Sequence, residues 1–178
     1  MNRLLKLFLP DYQVNTIYEV DPEQLRRLGI KGLITDLDNT LVGAKVALAT
    51  PELVNWLKLL QSSGLKVVIV SNNHRARVAA FAEPLGIPFV HSARKPSHRA
   101  FRKALDLLGL KPSETLMIGD QVMTDVFGAN RMGMRTMLVK PISVQDEGFF
   151  TRINRRLEKM VIARLKKRGF NLWEDTKQ

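Results

Sequence analysis

From about residue 22 the chain alternates between stretches with apolar residues at helical spacing and short continuous apolar runs. "DPEQLRRLGI" predicts a short helix, with Asp21 as N-cap, Pro22 at the first helical position and Gly29 as the stop. "GLIT" follows as a strand. "TPELVNWLKLLQSSG" predicts a helix capped by Thr50 and opened by Pro51; Leu53, Leu57 and Leu60 recur at helical spacing, and Gly64 ends it. "KVVIV" is a β-branched run of the kind buried on both faces of a sheet. The alternation continues with a helix in "HRARVAAFAEPLG", a strand in "PFVH", a helix in "PSHRAFRKALDLLG" and a strand in "TLMIG". Part of a helix in "VFGANRMG" and a strand in "RTMLVK" complete it. This order predicts an α/β domain: a central parallel sheet with helices on both faces, three layers of Rossmann-like type.

Polar residues fall where the predicted strands end. Asp36 and Asp38 follow "GLIT", Ser71 follows "KVVIV", Lys95 lies in the loop after "PFVH", and Asp120 follows "TLMIG". In a parallel sheet these ends share one rim, which is where such sheets bind ligands. With Asp125, four carboxylates then meet in one cleft, and they cannot all stay ionised without a cation. An all-oxygen donor set without Cys or clustered His favours a hard ion, Mg²⁺. Lys95 and the Ser71 hydroxyl suit a bound phosphate, with Arg94 as an alternative ligand to Lys95. Asn72 and Asn73 are read as lining the cleft. One carboxylate is then placed to attack phosphorus, and a neighbouring carboxyl to protonate the leaving oxygen and activate water. Each residue taken singly also fits a local role: a strand-end turn for Asp36 and Asp38, a cap for Ser71, a helix first-turn acid for Asp125. Their joint placement favours the site. His74, His91 and His98 have no metal-like spacing and read as surface or cap residues. Met117, Met123, Met132, Met134 and Met137 read as core filling.

"DLDNTL" resembles the first motif, D-x-D-x-T, of the haloacid dehalogenase superfamily. "VIVSNN" is similar to its second motif, Lys95 in "ARKPS" sits where the third is expected, and "MIGDQVMTD" resembles the fourth. The four occur in the family's order. The resemblance implies Asp36 as nucleophile and Mg²⁺ ligand, and Asp38 as general acid/base with its backbone carbonyl on the metal. It implies Thr40 as a buttress of the first loop, Ser71 on the phosphoryl group and Lys95 as its counter-charge. Asp120 would ligate the metal, and Asp125 would do so directly or through water while orienting Lys95. "PDYQVNTIYEVDPEQLRRLGIKGLITDLDNTLV" and "GDQVMTDVFGANRMGM" resemble the YqeG-type phosphatases of class IIIA. That family is similar to mitochondrial phosphatidylglycerophosphatase, so the resemblance implies hydrolysis of phosphatidylglycerophosphate to phosphatidylglycerol. Phosphatase action on nucleic acid ends or phosphoproteins, and an RNA- or ribosome-binding role, stand as alternatives.

Spacing bears on the substrate. A helix and a strand use most of the interval between Asp36 and Ser71, and another pair fills that between Ser71 and Lys95. Neither interval has room for an inserted cap domain, and an open cleft does not by itself enclose a small metabolite and exclude water. It suits a phosphate carried on something large.

Composition adds a partner. The 178 residues carry a net charge of +11 and no cysteine, which suits a reducing, cytoplasmic setting. The basic, apolar "MNRLLKLFLPDY" is interrupted by Lys6 and Pro10 and reads as mature protein. No run approaches the roughly 18 apolar residues of a membrane span. Residues 149–170 hold eight basic side chains (Arg152, Arg155, Arg156, Lys159, Arg164, Lys166, Lys167, Arg168) and one acid, Glu158. The following tail carries Glu174, Asp175 and Lys177. Phe149, Ile153, Leu157, Met160 or Val161, and Leu165 recur at helical spacing. The chain thus divides into a phosphatase core, 1–148, and a basic amphipathic helix and tail, 149–178. The helix fits an anionic membrane surface, placing the protein peripherally on an inner membrane face, with "LLKLFL" as a second anchor. Packing on the domain, pairing of two subunits in a homo-oligomer, and nucleic acid are the other readings of its stripe.

Overall fold

The computed structural model describes residues 3–143 and 149–172, without the side chains of Arg3 and residues 149–152. The sequence readings on the side chains of Phe149 and Arg152, and on Glu174, Asp175 and Lys177, lie outside the described residues. Six strands form one sheet: β1 (Tyr12–Val14), β2 (Gly32–Thr35), β3 (Lys66–Val70), β4 (Phe89–Val90), β5 (Thr115–Gly119) and β6 (Arg135–Val139). Their spatial order is β1-β6-β5-β2-β3-β4, and every pairing is parallel. The helices are α1 (Arg3–Lys6), α2 (Pro22–Arg27), α3 (Pro51–Ser62), α4 (Arg75–Ala82), α5 (His98–Leu108), α6 (Phe127–Asn130) and α7 (Phe149–Lys166).

Local signals act as the sequence predicts at several boundaries. The Asp21 carboxylate accepts from Glu23 N–H at the start of α2, and the Thr50 hydroxyl from Leu53 N–H at the start of α3. The strand side chains alternate between two apolar layers, as a sheet covered on both faces requires. Val67 and Ile69 of β3, with Leu116 and Ile118 of β5, pack toward Leu53, Leu57 and Leu60 of α3 and Phe81 of α4. Val68, Val70 and Met117 pack the other way, against Phe101, Ala104 and Leu108 of α5. A smaller cluster joins Val122, Val126 and Leu138 to Leu165 of α7, with Leu5, Phe8 and Leu9 packed against it. Phe8 stacks on Phe127 at 4.5 Å. The N-terminal apolar segment therefore turns Leu5, Phe8 and Leu9 onto the domain, while Leu4 is exposed.

Three local differences from the sequence reading stand out. β1 was not expected: its three residues form an edge strand beside β6 and carry no continuous apolar run. The stretch after β5 is one π-helical turn, Val122–Val126, running into α6. The helix opened by His74 gives way at Glu83–Leu85 to a 3₁₀ turn around Pro84. Among the described residues, no helix is long and apolar enough to cross a membrane.

Candidate active site

From β2 the chain moves outward to β3 and β4, then returns to lay β5 on the other side of β2. The order therefore reverses between β2 and β5, and the crevice beyond a parallel sheet's carboxyl ends opens at such a point. Asp36 leaves β2 there and Asp120 leaves β5. Asp36 N–H still donates to Ile118 C=O at 2.9 Å, so the two loops start from a shared ladder. Leu37 is fully buried in the core between the two aspartates, which pins the loop while both carboxylates leave the sheet. Asn39 then takes a left-handed conformation, with φ of 67°. Asparagine tolerates this better than most residues. Its C=O accepts from Ile142 N–H at 3.0 Å.

Lys95 is the centre of the site. Its side chain is 2 % exposed, and Nζ lies 2.5 Å from Asp36 Oδ1 and 2.7 Å from Asp125 Oδ1. Burial disfavours its charge, but the two carboxylates outweigh that and push its pKa above the usual lysine value. The Asn72 carboxamide oxygen accepts from Lys95 N–H at 2.7 Å, tying this loop to the one after β3. Ser71 is buried, and its Oγ accepts from Asn73 N–H at 3.1 Å. The helix that follows is capped by His74, whose ring nitrogen accepts from Arg77 N–H. Arg94, the alternative phosphate ligand, is exposed and borders a cavity of about 570 Å³ with Arg99 and Lys103.

Asp38 faces a different environment from Asp36. Its Oδ1 accepts from Arg77 Nη2 at 2.9 Å and Nε at 3.2 Å, and its Oδ2 from Asn73 Nδ2 at 3.0 Å. Burial raises its pKa, and the nearby Asp36 adds to this; the Asn73 and Arg77 hydrogen bonds only partly offset the rise. A carboxyl that keeps its proton longer than usual suits proton transfer to a leaving group.

Asp36, Asp120 and Asp125 are buried, each with an oxygen within 4.8 Å of the others. Burial first, and then the Asp36 charge, raises the pKa of Asp120 well above the ordinary value, with Asp125 a further cause. Asp125 is pushed to about 6, chiefly by burial. Three dry, mutually repelling carboxylates with only oxygen donors fit a hard divalent cation. The Asp38 carboxylate is not in this trio; the role expected for Asp38 at a metal concerns its backbone carbonyl. Thr40 Oγ1 donates to Asp120 Oδ1 at 3.3 Å.

The sequence reading missed three groups here: Arg77, Arg155 and Glu158. Arg77 of α4 grips Asp38. Arg155 of α7, read only as part of a basic face, pairs with Asp120 Oδ2 and donates through Nη1 to Asp120 C=O at 2.8 Å. Glu158 is buried at 4 % exposure and accepts from Val122 N–H at 2.6 Å. Its being the sole acid of the basic stretch was the one available signal.

A family model described as haloacid dehalogenase-like hydrolase matches residues 5–133. The chain is 48 % identical to the probable phosphatase YqeG of Bacillus subtilis, covering 97 % of this chain and 99 % of that protein. It is 30 % identical to phosphatidylglycerophosphate phosphatase 1 of Arabidopsis thaliana over 90 % of this chain, but spans only about half, 49 %, of that relative's length. Among solved structures, the cobalt-bound deoxy-D-mannose-octulosonate 8-phosphate phosphatase of Haemophilus influenzae aligns with a TM-score of 0.50 at 19 % identity. It covers 80 % of this chain and 91 % of that one, a likeness of fold.

Proposed function

The chain belongs to the haloacid dehalogenase-like hydrolase family and is a phosphatase of it; we propose that it works through an aspartyl-phosphate with Mg²⁺ and acts on phosphatidylglycerophosphate. The observation that carries the mechanism is the buried Asp36–Lys95–Asp125 set beside an Asp38 held by Arg77. The Asp36 carboxylate attacks phosphorus, forming the acyl-phosphate bond as the ester P–O bond breaks. Asp38 gives its proton to the leaving oxygen. It then takes a proton from the water that attacks the acyl-phosphate, releasing inorganic phosphate and restoring Asp36. Lys95 offsets phosphoryl charge, and Ser71, whose Oγ already accepts one bond, uses its hydroxyl proton as a donor to a phosphoryl oxygen. Mg²⁺, held by Asp36, Asp120 and Asp125, would supply further positive charge to the phosphoryl oxygens.

Three things support the lipid substrate. One is the similarity to the plant phosphatidylglycerophosphate phosphatase. The second is the length of the connections on either side of β3: residues 36–50 between β2 and α3, and 71–74 between β3 and α4, are too short to hold an inserted cap domain. The third is α7: Val161, Ile162 and Leu165 pack on the domain, but Ile153, Leu157 and Met160 stay 40 %, 41 % and 60 % exposed beside Arg156, Lys159 and Arg164. An apolar stripe flanked by cations suits an anionic lipid surface, each cation contributing about 1 kcal/mol. The test is phosphate release with Mg²⁺ from phosphatidylglycerophosphate in vesicles, soluble phosphate esters and phosphorylated oligonucleotides. Preference for the lipid is expected, and its absence removes this substrate. Asp36→Asn abolishes turnover of every ester; wild-type-like turnover in that variant removes the mechanism.

A further inference from the structure

The catalytic rim is gripped from outside by the last helix. Asp120 has no exposed side-chain surface, and both its oxygens are engaged, Oδ1 by Thr40 and Oδ2 by Arg155. Arg155 itself is held: Nη1 donates to Asp120 C=O at 2.8 Å and to Glu158 Oε2 at 3.2 Å. Glu158, one turn on, takes Val122 N–H at 2.6 Å, two residues beyond Asp120. Leu165 anchors the far part of the helix with no exposed surface. Helix α7 thus clamps both sides of the loop that carries Asp120.

Charge gives this clamp a consequence. Asp36, Asp120 and Asp125 present three carboxylates to two buried or partly buried cations, Lys95 and Arg155. A divalent ion brings two more positive charges to the same carboxylates. It meets the Arg155 guanidinium at short range in a poorly solvated site, where like charges repel strongly. Both Asp120 oxygens are already engaged, Oδ1 by Thr40 and Oδ2 by Arg155, so an ion bound to Asp120 must share or displace one of these partners. We propose that Arg155 is a positioning residue of the metal site that competes with the divalent cation for Asp120, so that metal binding and docking of α7 oppose each other. The linkage is reciprocal: metal binding weakens docking of α7 by the same factor as docking weakens metal binding. The inference rests on Asp36, Asp120 and Asp125 holding the metal.

The test uses the full chain and Mn²⁺ as probe, with free Mn²⁺ followed by electron paramagnetic resonance. Arg155→Gln is expected to bind Mn²⁺ about tenfold tighter than wild type, a middling value for coupling between sites. Arg155→Lys, which keeps the charge, is expected to stay within about threefold of wild type on the same scale. A purely structural Arg155 predicts the reverse, because losing it loosens the loop and weakens the metal. Hydrogen exchange supplies a second readout: saturating Mn²⁺ speeds exchange of α7 amides in the wild type and leaves them unchanged in Arg155→Gln. Unaltered or weaker affinity in Arg155→Gln overturns the competition while leaving the metal site standing. No Mn²⁺ binding by any of the three proteins refutes the metal assignment itself, and the inference with it.

Discussion

Replacing Gly119 by alanine puts a methyl group where the site has no space. Gly119 ends β5 and directly precedes Asp120. A Cβ built there lies 2.3 Å from Asp125 Oδ2, 2.4 Å from its Cγ and 2.5 Å from its Cβ, whereas ordinary contact begins at 3.4 Å. Asp125 must therefore withdraw by about 1 Å, and it is not free to do so cheaply. It is 1 % exposed, its Oδ1 is 2.7 Å from Lys95 Nζ, and its Oδ2 accepts from Gln121 N–H at 3.2 Å. A misplacement of that size in a catalytic constellation costs on the order of 10²-fold in rate. The overpacking costs about 1–3 kcal/mol, and at ~2–4 °C per kcal/mol for this size Tm falls by about 2–12 °C. The assay is kcat/KM for a soluble aryl phosphate with Mg²⁺, alongside thermal melting. Gly133→Ala is the control: Gly133 has a φ of 75° but nothing within 4 Å of an added Cβ. That change strains the backbone by ~1–2 kcal/mol and leaves the site untouched, so it lowers Tm with kcat/KM intact. Gly119→Ala within about threefold of wild-type kcat/KM, well short of the 10²-fold loss, refutes the packing argument.

Three further outcomes follow from the same geometry. The buried Asp125, with its pKa raised to about 6, keeps its proton in the folded chain where the unfolded chain has lost it. Metal-free stability therefore falls as pH rises from about 4 to 6, Asp125 contributing about 3 kcal/mol for a two-unit shift and the raised Asp120 adding to the fall; urea midpoints in chelator show this, and Asp125→Asn makes the slope shallower. Arg77→Ala frees the carboxylate it holds at 2.9 Å. Turnover of alkyl phosphates, whose leaving group needs a proton, then falls about 10²-fold, while p-nitrophenyl phosphate is spared; equal losses on both exclude this role. Asn130 Nδ2 donates to Leu7 C=O at 2.9 Å and Leu9 C=O at 2.8 Å. Asn130→Ala leaves both carbonyls orphaned and costs about 1–3 kcal/mol in denaturant melts, with kcat/KM unchanged.

The sequence by itself determined the layered sheet, because the signals involved are local. Continuous β-branched runs such as "KVVIV", and helices bounded by Thr50, Pro51 and Gly64, set the βα alternation, which in turn forces Asp36, Ser71, Lys95 and Asp120 onto one rim. Asp125, five residues beyond Asp120, comes with them through a single helical turn. Where packing outweighs local pattern, the sequence was silent. "YQV" becomes a strand only because β6 offers it an edge, and the π-helical turn after Asp120 has no compositional mark. The charge partners were the least legible. Arg77 and Asp38 are 39 residues apart and Arg155 and Asp120 are 35 apart. On the sequence, Arg155 is one of eight basic residues in a single stretch. Which of them turns inward depends on the rotation of α7 about its axis. Burial of Val161, Ile162 and Leu165 against the domain fixes that rotation, so only the tertiary structure decides which cation reaches the carboxylates.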